Sequence, residues 1–407
     1  MKPKATPYFW VSYAMIVGVM GTALISPLYA LYKDLWQLKP SDISLLYVIY
    51  MGGALAGLLF LGRLPDRTSF LRVMQAGLLL ILLGTVMCLL ANNLWWLGSG
   101  RFLVGIASTL LTTSATKGLA LLAPAGSAQR VAMLTGFLMA LGFGLGPLTG
   151  GIIGQWLPQP LVSAYLPTLV LGLCGWLALR TLALPATAQA AMAPLQARDF
   201  LPQLTLPAPE NRSAFWLTTC LPFMAFAVFG LYAAMSPLFL DKLVPWHGPV
   251  VSGSAIALIL FVSAIVQVLV GRLPTYRTGT AGLLMLALSN ALLMVNLWAG
   301  SALLFVAGVL ATAIGHAMCM LAGMSLVPRL SELRTRSGLF STYLLVGYIG
   351  SMLPMLGIGA IADHWGMRAA VTSFCIMVIA ICALGAPLFW RHRRIRQASQ
   401  AGTTQAA

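Results

Sequence analysis

Apolar residues in this chain follow neither the two-residue alternation of a half-buried strand nor the 3.6-residue stripe of an amphipathic helix; they run on almost unbroken. Twelve such runs stand near 8–31, 43–61, 73–91, 95–122, 131–155, 161–183, 213–239, 251–270, 280–298, 302–326, 338–361 and 368–390. Each is about 20 residues long, enough for a helix to cross a ~30 Å hydrocarbon core. Each is apolar on all faces, as a helix immersed in lipid must be. A β-barrel needs ten-residue alternating segments, which are missing. The pattern predicts an all-α, multi-pass membrane protein with 12 transmembrane helices.

Short strings recur half a chain apart. Ser26-Pro27-Leu28 returns as Ser236-Pro237-Leu238, and Gly62-Arg63-Leu64-Pro65 as Gly271-Arg272-Leu273-Pro274, at offsets of 210 and 209 residues. Two matches at nearly one offset predict two related six-helix bundles in tandem, residues 1–183 and 213–390. Between them, residues 184–212 carry Pro185, Pro194, Pro202, Pro207 and Pro209 and predict a flexible cytoplasmic linker, with room for a short helix around Gln196–Leu204. Residues 391–407 form a tail. No segment outside the runs is long enough to bury a core of its own, so function is expected inside the bundles.

Composition agrees: 59% of residues are hydrophobic and 8% charged. The net charge of +16 would suit nucleic acid, but its placement argues for a membrane. With both termini inside, 18 of the 24 Lys and Arg residues fall in cytoplasmic segments. Four fall outside (Lys33, Lys39, Lys242, Arg368) and two lie within a run (Arg101, Lys117). That is the positive-inside asymmetry of a cell-membrane protein (inner or plasma membrane), and no nucleic acid is expected as partner. The tail Arg391-His392-Arg393-Arg394-Ile395-Arg396 suits contact with anionic lipid. Lys2 and Lys4 precede an apolar run too long, and without a convincing cleavage site, for a signal peptide, so the run is read as the first span. All six cysteines sit in runs without metal-ligand spacing; neither a metal nor a cofactor is expected.

The chemistry-bearing motifs begin in the loop Gly62-Arg63-Leu64-Pro65-Asp66-Arg67-Thr68-Ser69-Phe70-Leu71-Arg72. Gly62 permits a tight turn and Pro65 favours an extended exit. Asp66 is the sole acid amid Arg63, Arg67 and Arg72, free to pair with them, to cap a neighbouring helix, or simply to be solvated. The fifth run holds Gly142-Phe143-Gly144-Leu145-Gly146-Pro147-Leu148-Thr149-Gly150-Gly151. Gly142, Gly146 and Gly150 share one helix face that lets another backbone approach. Pro147 removes the hydrogen bond to the carbonyl of Phe143. Pro354 and Gly357 are a degraded copy 207 residues on.

The loop resembles the signature Gly-x-x-x-Asp-Arg-x-Gly-Arg-Arg of the major facilitator superfamily, matched at Gly62, Asp66 and Arg67; Ser69 replaces the second Gly, and of the basic pair only Arg72 is left. The run-five motif is similar to that of the family's drug/proton antiporter (efflux) branch. Over nearly its whole length the chain therefore resembles a 12-span major facilitator transporter. The resemblance implies alternating access, with Asp66 in a latch between the halves and Gly62, Arg67 and Arg72 around it. The half-repeat loop at Gly271–Arg277 lacks the acid, so such a latch is one-sided. Arg101-Phe102-Leu103-Val104-Gly105 is similar to the family's Arg-x-x-x-Gly element, whose Arg is associated with proton coupling. The carboxylate that the family often carries near the inner end of span four is missing from Gly118–Leu122.

Substrate and proton candidates are few. Arg101 is costly enough in lipid to call for a partner or a wet cavity, unless it snorkels to the outer interface. Lys117, about 160° around the same helix, either snorkels at the cytoplasmic end or faces a cavity and attracts an anion. Of the eight acids (Asp34, Asp42, Asp66, Asp199, Asp241, Asp363, Glu210, Glu332) none lies convincingly mid-membrane. Asp34 and Asp241, near the outer mouths of spans one and seven, are proton-entry groups or solvated caps. His316 falls at the middle of span ten, with an unperturbed pKa of about 6.5 that suits proton exchange; a neutral packing His is the alternative. His247, His364 and His392 read as loop-borne. Tyr29 and Tyr32 on span one, and Phe226, Phe229 and Tyr232 on span seven, are lining candidates that also read as core packing.

The reading is a secondary active transporter, monomeric, exchanging protons for a small amphipathic compound that is neutral, zwitterionic or anionic. Proton-symport uptake of an organic anion is the alternative, followed by a non-transporting sensor or assembly factor. An enzyme is not expected: no nucleophile triad, phosphate loop or metal cluster occurs.

Overall fold

The structure, a computed structural model, describes residues 5–123, 128–182, 195–202, 204–240, 243–332 and 335–403. Lys2, Lys4, Pro185, Pro194, Asp241 and Lys242, all weighed above, lie outside them. Among the described residues, eleven helices are long and apolar enough to cross a membrane: α1 (Pro7–Trp36), α2 (Pro40–Arg67), α3 (Phe70–Leu89), α4 (Leu94–Leu122), α5 (Met133–Trp156), α6 (Pro160–Arg180), α7 (Pro209–Phe239), α8 (Pro249–Val270), α9 (Thr275–Ala299), α10 (Ala302–Leu330) and α11 (Gly338–Arg391). The last is two crossings in one: Gly366, at φ 84° and ψ 161°, breaks it into arms of about 28 and 25 residues, each ~40 Å long at 1.5 Å per residue. Only glycine adopts that backbone without strain. The twelve apolar runs are thus twelve helical arms, and no strand occurs among the described residues.

Local signals set the ends. Asn93 Oδ1 accepts the N–H of Trp96 at 2.9 Å and caps α4. Gly300, at φ 58°, stops α9 by donating its N–H to Asn296. Pro40, Pro160 and Pro249 open α2, α6 and α8, where a missing N–H costs nothing. A final helix α12 (Arg393–Thr403) folds the basic tail back, with Ile395 buried and Arg396 over the ring of Tyr276.

The chain divides into two compact units: unit 1 takes residues 1–37 and 49–202, unit 2 takes 38–48 and 203–407. In unit 1, α3 packs along α4 and α1 along α5; in unit 2, α9 packs along α10 and α7 along α11. The packing therefore repeats as the sequence strings do. The most enclosed windows are those of α1, α4, α7 and α10, at 72, 61, 67 and 61% buried, against 28% for α6 and 33% for α8. The two least enclosed helices present their apolar sides outward, as lipid-facing helices do. Residues 38–48 are held within unit 2 by the N–H of Ser41 on Asp363 (3.1 Å) and by the hydroxyl pair Tyr47–Ser351 (2.6 Å).

Several local expectations need correction. Pro65 does not make an extended exit; it sits in the first turn of a helical segment, Leu64–Arg67. Gly62 has an ordinary helical φ of −59°, and its lack of a side chain matters for clearance, since a Cβ there would meet the Leu58 carbonyl at 2.5 Å. In place of a helix at Gln196–Leu204 there is a single 3-10 turn, Ala197–Phe200. His364 lies on α11 rather than in a loop.

Candidate functional site

The glycines of α5 form a seam with α1. A Cβ on Gly142, Gly146 or Gly150 would meet the carbonyl oxygens of Ile16, Met20 and Leu24 at 2.8, 2.3 and 2.1 Å. Three glycines four apart thus face three carbonyls four apart, and two helices running the same way close to backbone contact. Pro147 and Gly151 are buried beside them. The degraded copy behaves differently: Gly357 faces open space, and it is Gly350 that approaches the Phe223 backbone, at 2.5 Å.

The loop 62–72 is a charge network inside unit 1. Asp66 pairs with Lys117 at the end of α4 (3.2 Å), and Lys117 also donates to the Pro65 carbonyl. The expected pairing of Asp66 with its neighbouring arginines is therefore replaced by a longer-range pair. Lys117 neither snorkels free nor faces a cavity as a lone cation. Arg67 instead takes Asp199, at 3.0 Å. Asp199 is buried, and its second oxygen accepts the N–H of Gln196 at 3.0 Å. Arg72 is exposed. Asp199 carries little signal in the sequence beyond being one of eight acids and standing next to Arg198.

Arg101 does not snorkel: it is 2% exposed. Its Nη1 donates to the Thr22 carbonyl at 2.7 Å, and its guanidinium carbon stands 4.2 Å from the ring centre of Tyr50. Tyr29, Tyr165 and Cys88 complete the surroundings. The hydroxyls of Tyr32 and Tyr165 bond to each other at 2.8 Å. Among the described residues no carboxylate pairs with this buried cation. A guanidinium stays charged in proteins, so cation–π contact and one carbonyl carry what an acid usually would.

The remaining candidates are scattered. His316 in unit 2 is buried, with its Nδ1 on the Ser263 hydroxyl at 2.9 Å, Gln267 donating to that hydroxyl, and Phe229 against its ring. Tyr232 is buried beside Thr312 within a π-helical stretch, Leu231–Met235. Such stretches cluster at functional sites. Asp34 is exposed, 3.8 Å from Lys33, and edges an apolar groove with Leu31, Leu35 and residues 159–162. No group of His, Cys, Asp and Glu among the described residues could hold a metal.

Twelve apolar arms in two repeating units define a multi-pass membrane protein. The chain matches the family model described as Major Facilitator Superfamily over residues 11–279, and it belongs to that superfamily. The resemblance to the superfamily therefore holds, and membership sets the chain among membrane transporters rather than enzymes.

Curated relatives are similar over shorter stretches. The riboflavin transporter RibZ of Clostridioides difficile is 27% identical over 118 residues, 29% of this chain and 26% of that protein. The multidrug efflux protein YfmO of Bacillus subtilis is 26% identical over 155 residues, 38% of each. The niacin transporter NiaP of Acinetobacter baylyi is 33% identical over 97 residues, 24% of this chain and 21% of that protein. The chain thus spans less than half the length of each of these relatives. Among solved structures, a bacterial homolog of the human lysosomal transporter Spinster superposes with a TM-score of 0.76 at 16% identity, covering 98% of this chain and 99% of that one. The peptide transporter POT in complex with alafosfalin gives 0.79 at 14%, covering 98% and 96%. At these identities the likeness is one of fold.

Proposed function

We propose that the chain is a secondary active transporter that expels a small amphipathic compound in exchange for protons by alternating access. The observation that carries this reading is the α5–α1 seam, where Gly142, Gly146 and Gly150 of the efflux-branch motif each stand against a backbone carbonyl. Similarity to a multidrug efflux protein adds support. In this reading Asp66, with Gly62, Arg67 and Arg72, serves the latch, and His316 carries the proton. The protein works as a monomer in the inner (plasma) membrane with both termini cytoplasmic, as its basic loops favour. Proton-symport uptake of an organic anion is the second reading, favoured by one observation: Arg101 is a buried cation without an acid.

Inside-out vesicles with an imposed acid interior and a pH-sensitive dye test the proposal against cationic, neutral, zwitterionic and anionic compounds. Substrate-triggered loss of the gradient, absent from vesicles lacking the protein, is the expected result. A gradient unaffected by every class, beside facilitated flux of a labelled compound, would overturn proton antiport.

A further inference from the structure

Of the four buried side-chain polar atoms without a hydrogen-bond partner among the described residues of unit 1, two lie in one place: Nε of Arg101 and the hydroxyl of Tyr29. They are neighbours: the Tyr29 hydroxyl lies within reach of the Arg101 guanidinium, and neither atom meets a protein partner at full hydrogen-bond geometry. Both can donate to the same acceptor. Arg101 Nη1 is already committed to the Thr22 carbonyl, so the guanidinium is held from one side and unsatisfied on another. Buried polar groups in native proteins are nearly always paired, and a buried charge without an acid asks for one. Among the described residues no acid answers: the neighbours are Tyr29, Tyr50, Tyr165 and Cys88.

We propose that Arg101 and Tyr29 form a receptor for a carboxylate on the cargo, a specificity site within the transport reading on which it rests. One carboxylate accepts from Arg101 Nε–H and from the Tyr29 hydroxyl, and its charge offsets the guanidinium. A single cation among tyrosine rings suits a monoanion; a second negative charge would go unpaired. The tyrosine rings gathered around the guanidinium, Tyr29, Tyr50 and Tyr165, suit a flat apolar body beside the carboxylate, so the class is an aromatic monocarboxylate.

Benzoate is the probe and benzamide its neutral match. With full-length protein in nanodiscs at neutral pH, benzoate at tens of millimolar is expected to raise the unfolding midpoint, and benzamide is not. Tyr29→Phe removes one hydroxyl without changing shape and is expected to weaken benzoate about tenfold, the loss of one hydrogen bond to a charged group. Arg101→Lys keeps the charge but loses Nε and is expected to weaken it at least as much. Should Arg101→Lys not fold, Tyr29→Phe decides alone. Equal shifts from benzoate and benzamide, no shift from either, or unaltered affinity in Tyr29→Phe each overturn the receptor. Sodium chloride that gives the same shift and displaces benzoate would make this an inorganic-anion site and overturn the cargo assignment. Equilibrium exchange of labelled benzoate across proteoliposomes, expected in wild type and at least tenfold slower in Tyr29→Phe, needs no proton gradient. It can therefore fail or succeed independently of proton-coupled efflux.

Discussion

Alanine at Gly146 or Gly150 tests the seam directly. The added Cβ would stand 2.3 Å from the Met20 oxygen or 2.1 Å from the Leu24 oxygen, where ordinary contact begins at 3.4 Å. Relief requires α5 and α1 to separate by roughly 1.2 Å, and a gap of 0.5–1 Å already forfeits about a quarter to a half of each dispersion contact along it. Overpacked sites cost about 1–3 kcal/mol. Here the obstacle is backbone, which cannot rotate aside, so the upper part of that range, roughly 2–3 kcal/mol, is expected for each substitution. In a unit of about 190 residues, that lowers the unfolding midpoint by about 4–12 °C. Gly136→Ala is the control on the same helix, because no heavy atom lies within 4 Å of its added Cβ and alanine favours helix. Fluorescence-monitored melting of the three variants in one detergent is the assay. A Gly146→Ala midpoint equal to or above that of Gly136→Ala refutes the claim that this face is closed to backbone contact.

Three further outcomes are expected. Asp66→Asn should cripple transport while membrane insertion stays intact, because a pair at the end of α4 is lost but no span changes; flux at wild-type level in vesicles would remove the latch assignment. His316→Ala should make transport indifferent to an imposed pH gradient, and an unchanged pH dependence returns the ring to packing against Phe229 and Ser263. Asp199→Asn breaks a pair in which the acid is buried and Arg67 is partly exposed, so the loss should be about 1–3 kcal/mol, below that of a fully buried pair. Limited proteolysis should then cut faster near residues 195–202, and unchanged cutting would show that the pair does not hold that turn.

The spans were legible because lipid demands length and all-round apolarity, and both can be counted along one dimension. Even the division of α11 at Gly366 is visible as two runs. The seam glycines were legible as one face, though not their partner: that Gly146 meets Met20 rather than another helix depends on packing. Charges were read least well. Lys117 was seen to lie near a helix end, yet its partner stands 51 positions earlier in a loop whose acid had three closer arginines to choose from. Arg67 found Asp199, 132 positions away. Arg101 was recognised as costly in lipid, but its cage draws on α1, α2 and the start of α6. A single sequence holds no record of which of these meet.

The cage around Arg101 also bears on how the protein is made. The α4 window is the least apolar of the eleven, with mean hydropathy 1.2. An arginine deep in a lone helix makes insertion less favourable by roughly 2.5–3.5 kcal/mol at the bilayer centre. The groups that receive it, the Thr22 carbonyl and the Tyr50 ring, belong to α1 and α2, which leave the ribosome before α4 does. The earlier helices can therefore wait in the bilayer as a docking hairpin, and α4 need not be self-sufficient when it enters. Biogenesis of this helix is in that sense a property of its neighbours, set by the order in which the chain is synthesised.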